Sequence, residues 1–439
     1  MEQAEKSTPH FLPLHGQDIF SFLASLYSSN NHLNMVITFK ERIYENRLAR
    51  AVRITMEMEP VLGCHVAEVG DSIGFVRRDD LDSLDLCEVF ETTDPETDLQ
   101  RHIALPIDAQ KDPMVQVKIL RTPEKDIVVV KMDHTCGDGG ALKEYVVLLA
   151  KIYNNLCSNV SCTNLLIAPR QNAFQIMRQF GMDELLKAWK PSGTPPPPTW
   201  FFPCSGYQNL NPRFELFQLS NQQFETLKRR ARENGATVND ILLTAYFRAL
   251  FIINPSKAAQ PRPVSVSVDL RRYLSETDRH TIANVSSSFN LLLAEVIKEP
   301  FSNTLERVIQ AKSELNLEQE IIPSALFFEI LRKFGSSGAR KWFEGATKLS
   351  QKANFSPPFL SNIGMIAPVM LGESIASECY AVTPAMFAPL FMLGASTYNK
   401  TLTMVINYHA SDLNQHDIKA FWGSMHEDLG NFCADMRLS

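Results

Sequence analysis

The stretch Asp133-His-Thr-Cys-Gly-Asp-Gly139 lies between an apolar, strand-like run, 127–132, and a helix-like run, 141–153. A histidine at the exit of a strand, with an aspartate four residues later and glycines around both, can be held rigidly while it faces a cavity. Histidine has the ordinary pKa that best suits proton transfer near neutral pH. The glycines permit close backbone approach or a positive φ. The stretch therefore predicts an enzyme site at a strand-to-helix junction.

The composition of the chain excludes several classes of function. Its 439 residues exceed a usual single core, so two or three domains are expected. A net charge of -6 argues against a nucleic-acid-binding protein. The eight cysteines are scattered without a CxxC pair, which is typical of reduced thiols, and the polar N-terminus has no signal-peptide core. No apolar run reaches membrane-spanning length. We therefore expect a cytoplasmic protein with no membrane span.

A proline-rich segment divides the chain. The segment Pro191-Ser-Gly-Thr-Pro-Pro-Pro-Pro-Thr199 cannot continue a helix and favours extended polyproline geometry. It predicts a linker, 191–199, between an N-terminal subdomain, 1–190, and a C-terminal subdomain, 200–439. Both parts mix strand-like and helix-like patterns, so a pair of related α/β units is plausible.

The periodicity of the chain favours hairpins and separated helices. In the first half it predicts strands at 32–39, 114–120 and 127–132, the last two forming an antiparallel hairpin that leads to the motif. In the second half it predicts strands at 214–219, 263–269, 359–363, 389–398 and 402–408. Helices are predicted at 43–58, 221–233, 302–317, 323–334, 338–349 and 414–433, and after an N-cap at Thr237, with Asp240 as its capping-box partner. Without regular βαβ alternation, the pattern indicates a layered α+β fold.

Three sequence elements together resemble one superfamily. Asp133-His-Thr-Cys-Gly-Asp-Gly139 is similar to the HxxxDG signature of the chloramphenicol-acetyltransferase-like proteins, which include condensation domains, alcohol acetyltransferases and polyketide-associated acyltransferases. Val268-Asp-Leu-Arg271, followed by Asn284, resembles the VDxR element of the second half of such enzymes. Leu360-Ser-Asn-Ile-Gly-Met365 resembles the S-N-x-G strand of the dihydrolipoyl acyltransferases.

The resemblance implies both an architecture and an activity. It implies two chloramphenicol-acetyltransferase-like α/β sandwich subdomains that form a V-shaped pseudo-dimer, with the site between them, so that no oligomer is required. It further implies a stand-alone acyltransferase that moves an acyl group from acyl-CoA or an acyl carrier protein to a small-molecule alcohol or amine. No metal and no tightly bound cofactor are implied. The alternatives are a condensation-domain protein that forms an amide bond on carrier-bound substrates, or a non-catalytic condensation-like binding module.

The same resemblance assigns roles to individual residues. His134 would be the general base, and Asp138 would be a structural and orienting residue paired with Arg271, with Gly139 supporting the loop. Ser361 is the candidate donor to the oxyanion, although a serine at an ordinary strand end fits the same sequence. The channel candidates are Asn284 and Asn362, and Asn284 could equally cap a turn.

The motif region also permits other roles. Cys136 could be a nucleophile, but its glycine neighbours favour a spacer. His134, Asp133 and Asp138 could mimic metal ligands, yet no second cluster completes a site. Asp133 stands where peptide-forming condensation domains usually carry a histidine, which favours a stand-alone transferase.

Two further groups of residues fit either a functional role or a packing role. Phe387 and Phe391 could wall an acyl tunnel, although most phenylalanines belong to the core. Arg262 and the pair Arg271-Arg272 could attract the phosphates of coenzyme A, and a solvated basic edge is the equal alternative.

Overall fold

The computed structural model describes residues 11–162, 168–181, 200–255, 260–353 and 355–434. The N-terminal residues 1–10 and the predicted linker 191–199 lie outside the described residues. The division of the chain at that linker therefore stays a prediction.

The strands form two large sheets and two small ones. Within the described residues they are, in chain order, β1 (Phe11–Pro13), β2 (His32–Phe39), β3 (Cys64–Val69), β4 (Ser72–Arg77), β5 (Cys87–Glu91), β6 (Val115–Arg121), β7 (Asp126–Asp133), β8 (Pro212–Leu219), β9 (Arg262–Asp269), β10 (Ser286–Leu293), β11 (Phe359–Met365), β12 (Met370–Leu371), β13 (Ser374–Ile375), β14 (Glu378–Val382), β15 (Met392–Tyr398) and β16 (Thr401–His409).

The helices flank these sheets. The α-helices of the described part are α1 (Gly16–Tyr27), α2 (Glu45–Met58), α3 (Pro95–Ala104), α4 (Gly139–Cys157), α5 (Ala173–Met177), α6 (Asn221–Glu233), α7 (Val238–Ile253), α8 (Phe301–Ser313), α9 (Leu317–Lys333), α10 (Gly335–Ala353) and α11 (Gln415–Ala434).

The first large sheet carries the motif. Its strand order is β14-β2-β7-β6-β5, with β7 at the centre. The predicted hairpin is confirmed, because β6 and β7 pair antiparallel from Val115 opposite Met132 to Arg121 opposite Asp126. Every residue of β7 is buried, as expected for a nearly continuous apolar strand in the middle of a sheet. The strand therefore ends in the protein interior, and the chain turns directly into α4.

The second large sheet has the order β10-β9-β11-β15-β16-β8. Its strands pair antiparallel except at β11, which runs parallel to both β9 and β15. This mixture of hairpins and helices confirms the predicted α+β class. The smaller sheets have the orders β1-β4-β3 and β12-β13.

Two hydrophobic cores exchange chain segments. The first core consists mainly of residues up to Tyr153, but Phe343 of α10 and Cys379 of β14 also belong to it. Strand β14 joins the first sheet by pairing antiparallel with β2, from Glu378 opposite Thr38. In return, Ile176 of α5 packs in the second core. The boundary between the cores consequently does not follow a single point in the sequence.

Several helix ends follow local sequence signals, whereas α1, α3 and α5 are not among the predicted helices. The predicted capping box before α7 is present, since Thr237 Oγ1 accepts the Asp240 N–H at 3.3 Å and Asp240 Oδ2 accepts the Thr237 N–H at 2.8 Å. The predicted helix 323–334 begins earlier, at Leu317, after an N-cap at Asn316, and Pro323 lies inside it. The predicted start at residue 323 is therefore six residues too late.

The length and hydropathy of each helix show whether it could cross a membrane. Among the described residues, no single helix has the length and apolar character needed to cross a membrane. The consecutive helices Asn221–Glu233 and Val238–Ile253 meet those criteria only together, and they are bent by 98° at their junction.

Candidate active site

His134 lies at the wall of a cavity between the two large sheets. The residue directly follows β7, and its backbone N–H donates to Asn31 O at 3.0 Å. The cavity has a volume of about 470 Å³ and is bounded by residues of α1, the start of α4, β9, β10, β11, β14 and β15. The backbone of His134 is therefore held by a hydrogen bond, and its half-buried imidazole borders the cavity.

The side chain of Asn284 determines which ring nitrogen of His134 carries hydrogen. Asn284 Nδ2 lies within donating distance of three acceptors: Asp18 Oδ1 at 2.9 Å, His134 O at 2.8 Å and Thr135 O at 3.0 Å. Its Oδ1 consequently faces His134 Nδ1, at 3.2 Å. Because that amide oxygen only accepts, this contact assigns the hydrogen to Nδ1, where Ser21 Oγ at 3.4 Å can accept as well, and Nε2 of the neutral ring is then the basic atom.

An ion pair between Asp18 and Arg170 supports the side chain of Asn284. Asp18 is a buried residue of the first turn of α1, and its Oδ1 lies 3.1 Å from Arg170 Nη2. Nη1 of the same arginine donates to Cys136 O and Ile282 O, both at 2.8 Å. Arg170 thus ties the motif loop to the segment before Asn284. Nothing in the local sequence marked Asp18 or Arg170 as site residues.

The side chain of Asp138 makes contacts that stabilise the structure. It is 4% exposed, and Oδ1 accepts the Ala141 N–H at 2.8 Å, which caps α4. Oδ2 accepts the Val285 N–H at 2.8 Å. Arg271 Nη1 lies 2.9 Å from Oδ1, so the ion pair predicted from the sequence is present. Both carboxylate oxygens are occupied by structural donors, and the aspartate joins the motif helix to the other half of the chain.

Two of the three arginines predicted as candidates for coenzyme A phosphates, Arg271 and Arg262, are engaged within the protein. Besides Asp138, Arg271 donates to Thr281 O at 3.1 Å and to Ala283 O at 2.9 Å, and it is 6% exposed. Arg262 is also buried, contacts Glu295 at 3.1 Å and lies over the Trp200 ring. Neither side chain is free to bind a phosphate at the surface.

The glycines after Asp138 are required by close packing. A Cβ atom at Gly139 would lie 2.6 Å from Ile363 Cγ2 on β11. A Cβ atom at Gly140 would collide with the Arg271 guanidinium. The start of α4 can approach β11 and Arg271 only because both positions lack a side chain.

Ser361 and Asn362 stand on β11, across the cavity from the motif. Both residues border the cavity that His134 borders, and Ser267 Oγ donates to Ser361 Oγ at 3.5 Å. Asn362 Oδ1 accepts the Gly364 N–H at 2.9 Å, and Gly364 has a φ of 72°. The S-N-x-G element therefore forms an irregularity within β11, and its serine borders the cavity.

Cys136 and Asp133 are part of the loop structure. Cys136 is fully buried, its Sγ donates to Asp133 O at 3.2 Å, and burial raises the pKa of its thiol well above the ordinary value. Asp133 is 2% exposed and accepts the Thr135 N–H at 2.8 Å, and burial raises its pKa to about 6. The spacer interpretation of Cys136 fits this burial. The described residues contain no group of three or more His, Cys, Asp or Glu side chains that could hold a metal ion.

The phenylalanines that border the cavity are different from those singled out in the sequence. Phe391 packs in the second core, where its ring centroid lies 4.0 Å from that of Phe202. Phe387 packs against His409. The cavity is bordered instead by Phe20, Phe327, Phe328 and Phe359. Phe20, Phe359 and the consecutive pair Phe327-Phe328 come together through long-range packing, so no local pattern identifies the group.

Comparison with solved structures identifies the architecture. The first condensation domain of the CDA synthetase superposes with a TM-score of 0.71 at 15% identity, over 98% of this chain and 97% of that chain. Polyketide synthase associated protein 5 from Mycobacterium tuberculosis gives a TM-score of 0.67 at 14% identity, over 97% and 99%. The chain has the condensation-domain fold. A starter condensation domain of rhizomide synthetase, determined in complex with C8-CoA, gives 0.68 at 13% identity, over 97% and 95%.

Comparisons of sequence alone give no such match. No protein-family model matches the chain, and no curated protein matches it significantly. At these low identities the condensation-domain fold is what the similarity establishes, and it confirms the predicted pair of sandwich subdomains.

Proposed function

We propose that this condensation-domain-fold chain is an acyltransferase that moves an acyl group from a thioester to an alcohol or amine. The observation that carries the proposal is the position of His134 at the cavity, with Nδ1 held by Asn284 and Nε2 left as the basic atom. A general base needs an unprotonated nitrogen in a defined orientation next to the nucleophile. The thioester would be acyl-CoA or an acyl carrier protein.

The reaction needs no covalent enzyme intermediate. His134 Nε2 takes the proton of the acceptor O–H or N–H while the acceptor atom forms a bond to the thioester carbonyl carbon. The tetrahedral intermediate then collapses, the C–S bond breaks, and the proton passes from Nε2 to the leaving thiolate. The reaction is balanced as acyl transfer with release of a free thiol. General-base help of this kind contributes about 10²–10⁴-fold to the rate.

Ser361 is the proposed donor to the oxyanion of the tetrahedral intermediate. Its hydroxyl borders the cavity and receives a hydrogen bond from Ser267, which leaves its own hydrogen available to a ligand. Loss of one such donor typically costs about 10²–10³-fold in kcat. Ser361→Ala should fall in that range while it retains substrate binding.

Two observations support a thioester donor and a cytoplasmic setting. A protein with the same fold was solved in complex with C8-CoA, and acyl-CoA is one of the two thioester donors in this proposal. All eight cysteines of this chain are free thiols, which is usual in a reducing compartment. We therefore place the proposed reaction in the cytoplasm and expect no tightly bound cofactor.

The proposal is tested by release of free thiol from short- and medium-chain acyl-CoA in the presence of a panel of alcohols and amines. Wild-type protein should release thiol in an acceptor-dependent way, and His134→Ala should lose at least about 100-fold of that rate. His416→Ala is the matched control, because His416 is exposed on α11 and far in sequence from the motif. Variants are compared after circular dichroism shows equal folding.

The alternatives have distinct outcomes in the same assay. Turnover of aminoacyl groups on a carrier protein, without any turnover of simple alcohols, would instead indicate a condensation enzyme that forms amides. Binding of these substrates with equal, negligible turnover by wild type and His134→Ala would indicate a binding module. Equal activity of the two proteins with every donor accepted by wild type would overturn the role of His134.

A further inference from the structure

Gln17 presents an unpartnered acceptor to the cavity. The side chain stands on α1, is 7% exposed, and borders the same cavity as His134. Its Nε2 donates to Ser286 Oγ at 2.9 Å. Its Oε1 is buried and has no hydrogen-bond partner among the described residues. Buried polar atoms are normally satisfied, so an orphaned one at a cavity wall indicates a ligand contact.

The position of Gln17 on α1 relates this acceptor to the reaction centre. Ser21 lies four residues later, on the same face of the helix, and its Oγ is 3.4 Å from His134 Nδ1. Side chains spaced by four residues in a helix are about 5–6 Å apart at Cβ. A ligand group bound by Gln17 would therefore lie about one helical turn from the catalytic imidazole.

An aromatic wall borders the cavity beside Gln17. The ring centroid of Phe20 lies 5.0 Å from that of Phe328 and 6.4 Å from that of Phe327. All three rings border the cavity. They form a broad apolar surface next to one polar atom, which is the usual composition of a specific small-molecule subsite.

The charges around the cavity restrict the group that Gln17 would bind. Apart from His134, the ionisable side chains of the cavity wall are Asp138 and Asp269, and both contact Arg271 on the side of α4. No carboxylate of the described wall stands on the α1 side to pair with an ammonium group. The ligand atom that meets Gln17 Oε1 should be a neutral N–H or O–H.

We propose that Gln17, Phe20, Phe327 and Phe328 form the acceptor-substrate subsite, which selects an acceptor carrying a neutral hydrogen-bond donor and an adjacent aromatic group. The donor would be an amide N–H or a second hydroxyl, about one helical turn from the nucleophilic atom. This inference rests on the proposed acyltransferase function. The acyl chain carries no N–H or O–H. The pantetheine arm of the thioester has amide N–H groups but no aromatic group to pack against the three rings, so the subsite is assigned to the acceptor.

The test uses two probes that differ in one group. N-(4-hydroxybutyl)benzamide carries a hydroxyl, an amide N–H and a phenyl ring, and 4-hydroxybutyl benzoate replaces the N–H by an ester oxygen. Calorimetric titration of wild type should show the amide binding about tenfold more tightly, which corresponds to about 1.4 kcal/mol. Gln17→Met, which removes the acceptor but keeps the length of the side chain, should bind both probes with the affinity of the ester.

Two further variants separate this inference from the proposed function. Gln17→Glu keeps an acceptor oxygen and should keep the preference for the amide, which guards against a Met variant that folds poorly. His134→Ala should keep the preference in binding while it loses turnover. Equal or absent binding of the two probes by wild type overturns the subsite, as does a preference that survives in Gln17→Met. An increase in KM for acyl-CoA alone would assign Gln17 to the thioester side and overturn it as well.

Discussion

Neutralising Asp138 should damage the stability of the protein more than the chemistry of proton transfer. In Asp138→Asn, the buried Arg271 cation loses its buried partner, and Asp269, which is half-exposed, is the carboxylate that remains beside it. The new amide also places N–H hydrogens near the Ala141 or Val285 N–H groups, which donate to Asp138 in the wild type. Removing one member of a buried pair costs about 3–5 kcal/mol, so the free energy of unfolding should fall by that amount.

Urea unfolding followed by tryptophan fluorescence measures the effect, since the chain contains four tryptophans. Asp269→Asn is the matched control because it removes the same charge from the same arginine. The side chain of Asp269 is 50% exposed, so this variant should lose less than about 1 kcal/mol. The pH profile of kcat for Asp138→Asn should keep the shape of the wild-type profile at a lower plateau.

Two outcomes would contradict a purely structural role of Asp138. If Asp138→Asn unfolds within about 1 kcal/mol of wild type but its pH profile of kcat changes shape, the aspartate takes part in proton transfer. Equal losses in Asp138→Asn and Asp269→Asn would show that burial does not decide the strength of the pair.

Three other substitutions test separate parts of the structure. Asn284→Leu should lower kcat about 100-fold with little change in KM, because His134 loses the acceptor that fixes its tautomer; steady-state kinetics measures this. Gly140→Ala places a methyl group against Arg271, so urea unfolding should show a loss of about 1–3 kcal/mol. Burial raises the pKa of the Glu59 carboxyl to about 7, so the wild type loses stability as pH rises from about 4 to about 7. Glu59→Gln has no carboxyl to ionise and does not lose this stability. In urea unfolding at pH 8, the variant should exceed the wild type by about 2–4 kcal/mol in free energy of unfolding.

Matched controls accompany these three variants. Asn290→Leu, an equivalent change on the exposed face of β10, should keep wild-type kcat. Gly423→Ala adds a Cβ in α11 that meets no atom within 4 Å, and it should be neutral or stabilising by up to about 1 kcal/mol. Glu320→Gln removes an exposed carboxyl and should leave the pH dependence of stability unchanged. A wild-type kcat in Asn284→Leu, or a Glu59→Gln profile parallel to wild type, would contradict the corresponding argument.

Local patterns predicted the elements that carry the motif. The alternation of 114–120, the apolar run 127–132 and the amphipathic run after Gly139 describe a hairpin and a helix that form from neighbouring residues, and β6, β7 and α4 agree with them. The pairing of Asp138 with Arg271 came from the resemblance of two motifs, because 133 residues separate the two side chains and no periodicity connects them.

Other parts of the site had no local signal. Asp18 and Asn284 are 266 residues apart, and Asp18 in the sequence resembles an ordinary acidic residue in the first turn of a helix. Gln17 likewise is one polar residue near a helix start. Strand β14 is five residues long, and its membership of the first sheet depends on the partner β2, which lies more than 300 residues earlier. These relations arise from tertiary packing, which sequence periodicity does not encode.

The site is assembled from both parts of the chain, and this explains its arrangement. His134 follows a strand of the first sheet, but the residue that orients its ring, Asn284, precedes β10 of the second sheet. Arg271, from the segment after β9, meets Asp138 at the start of α4. Since the two polar connections converge on one five-residue motif, a shift of one sheet against the other would disturb the tautomer of the imidazole and the cap of α4 together. The buried Asp138–Arg271 pair and the Asn284 contact thus connect the two sheets at the motif, and together they fix the position of His134.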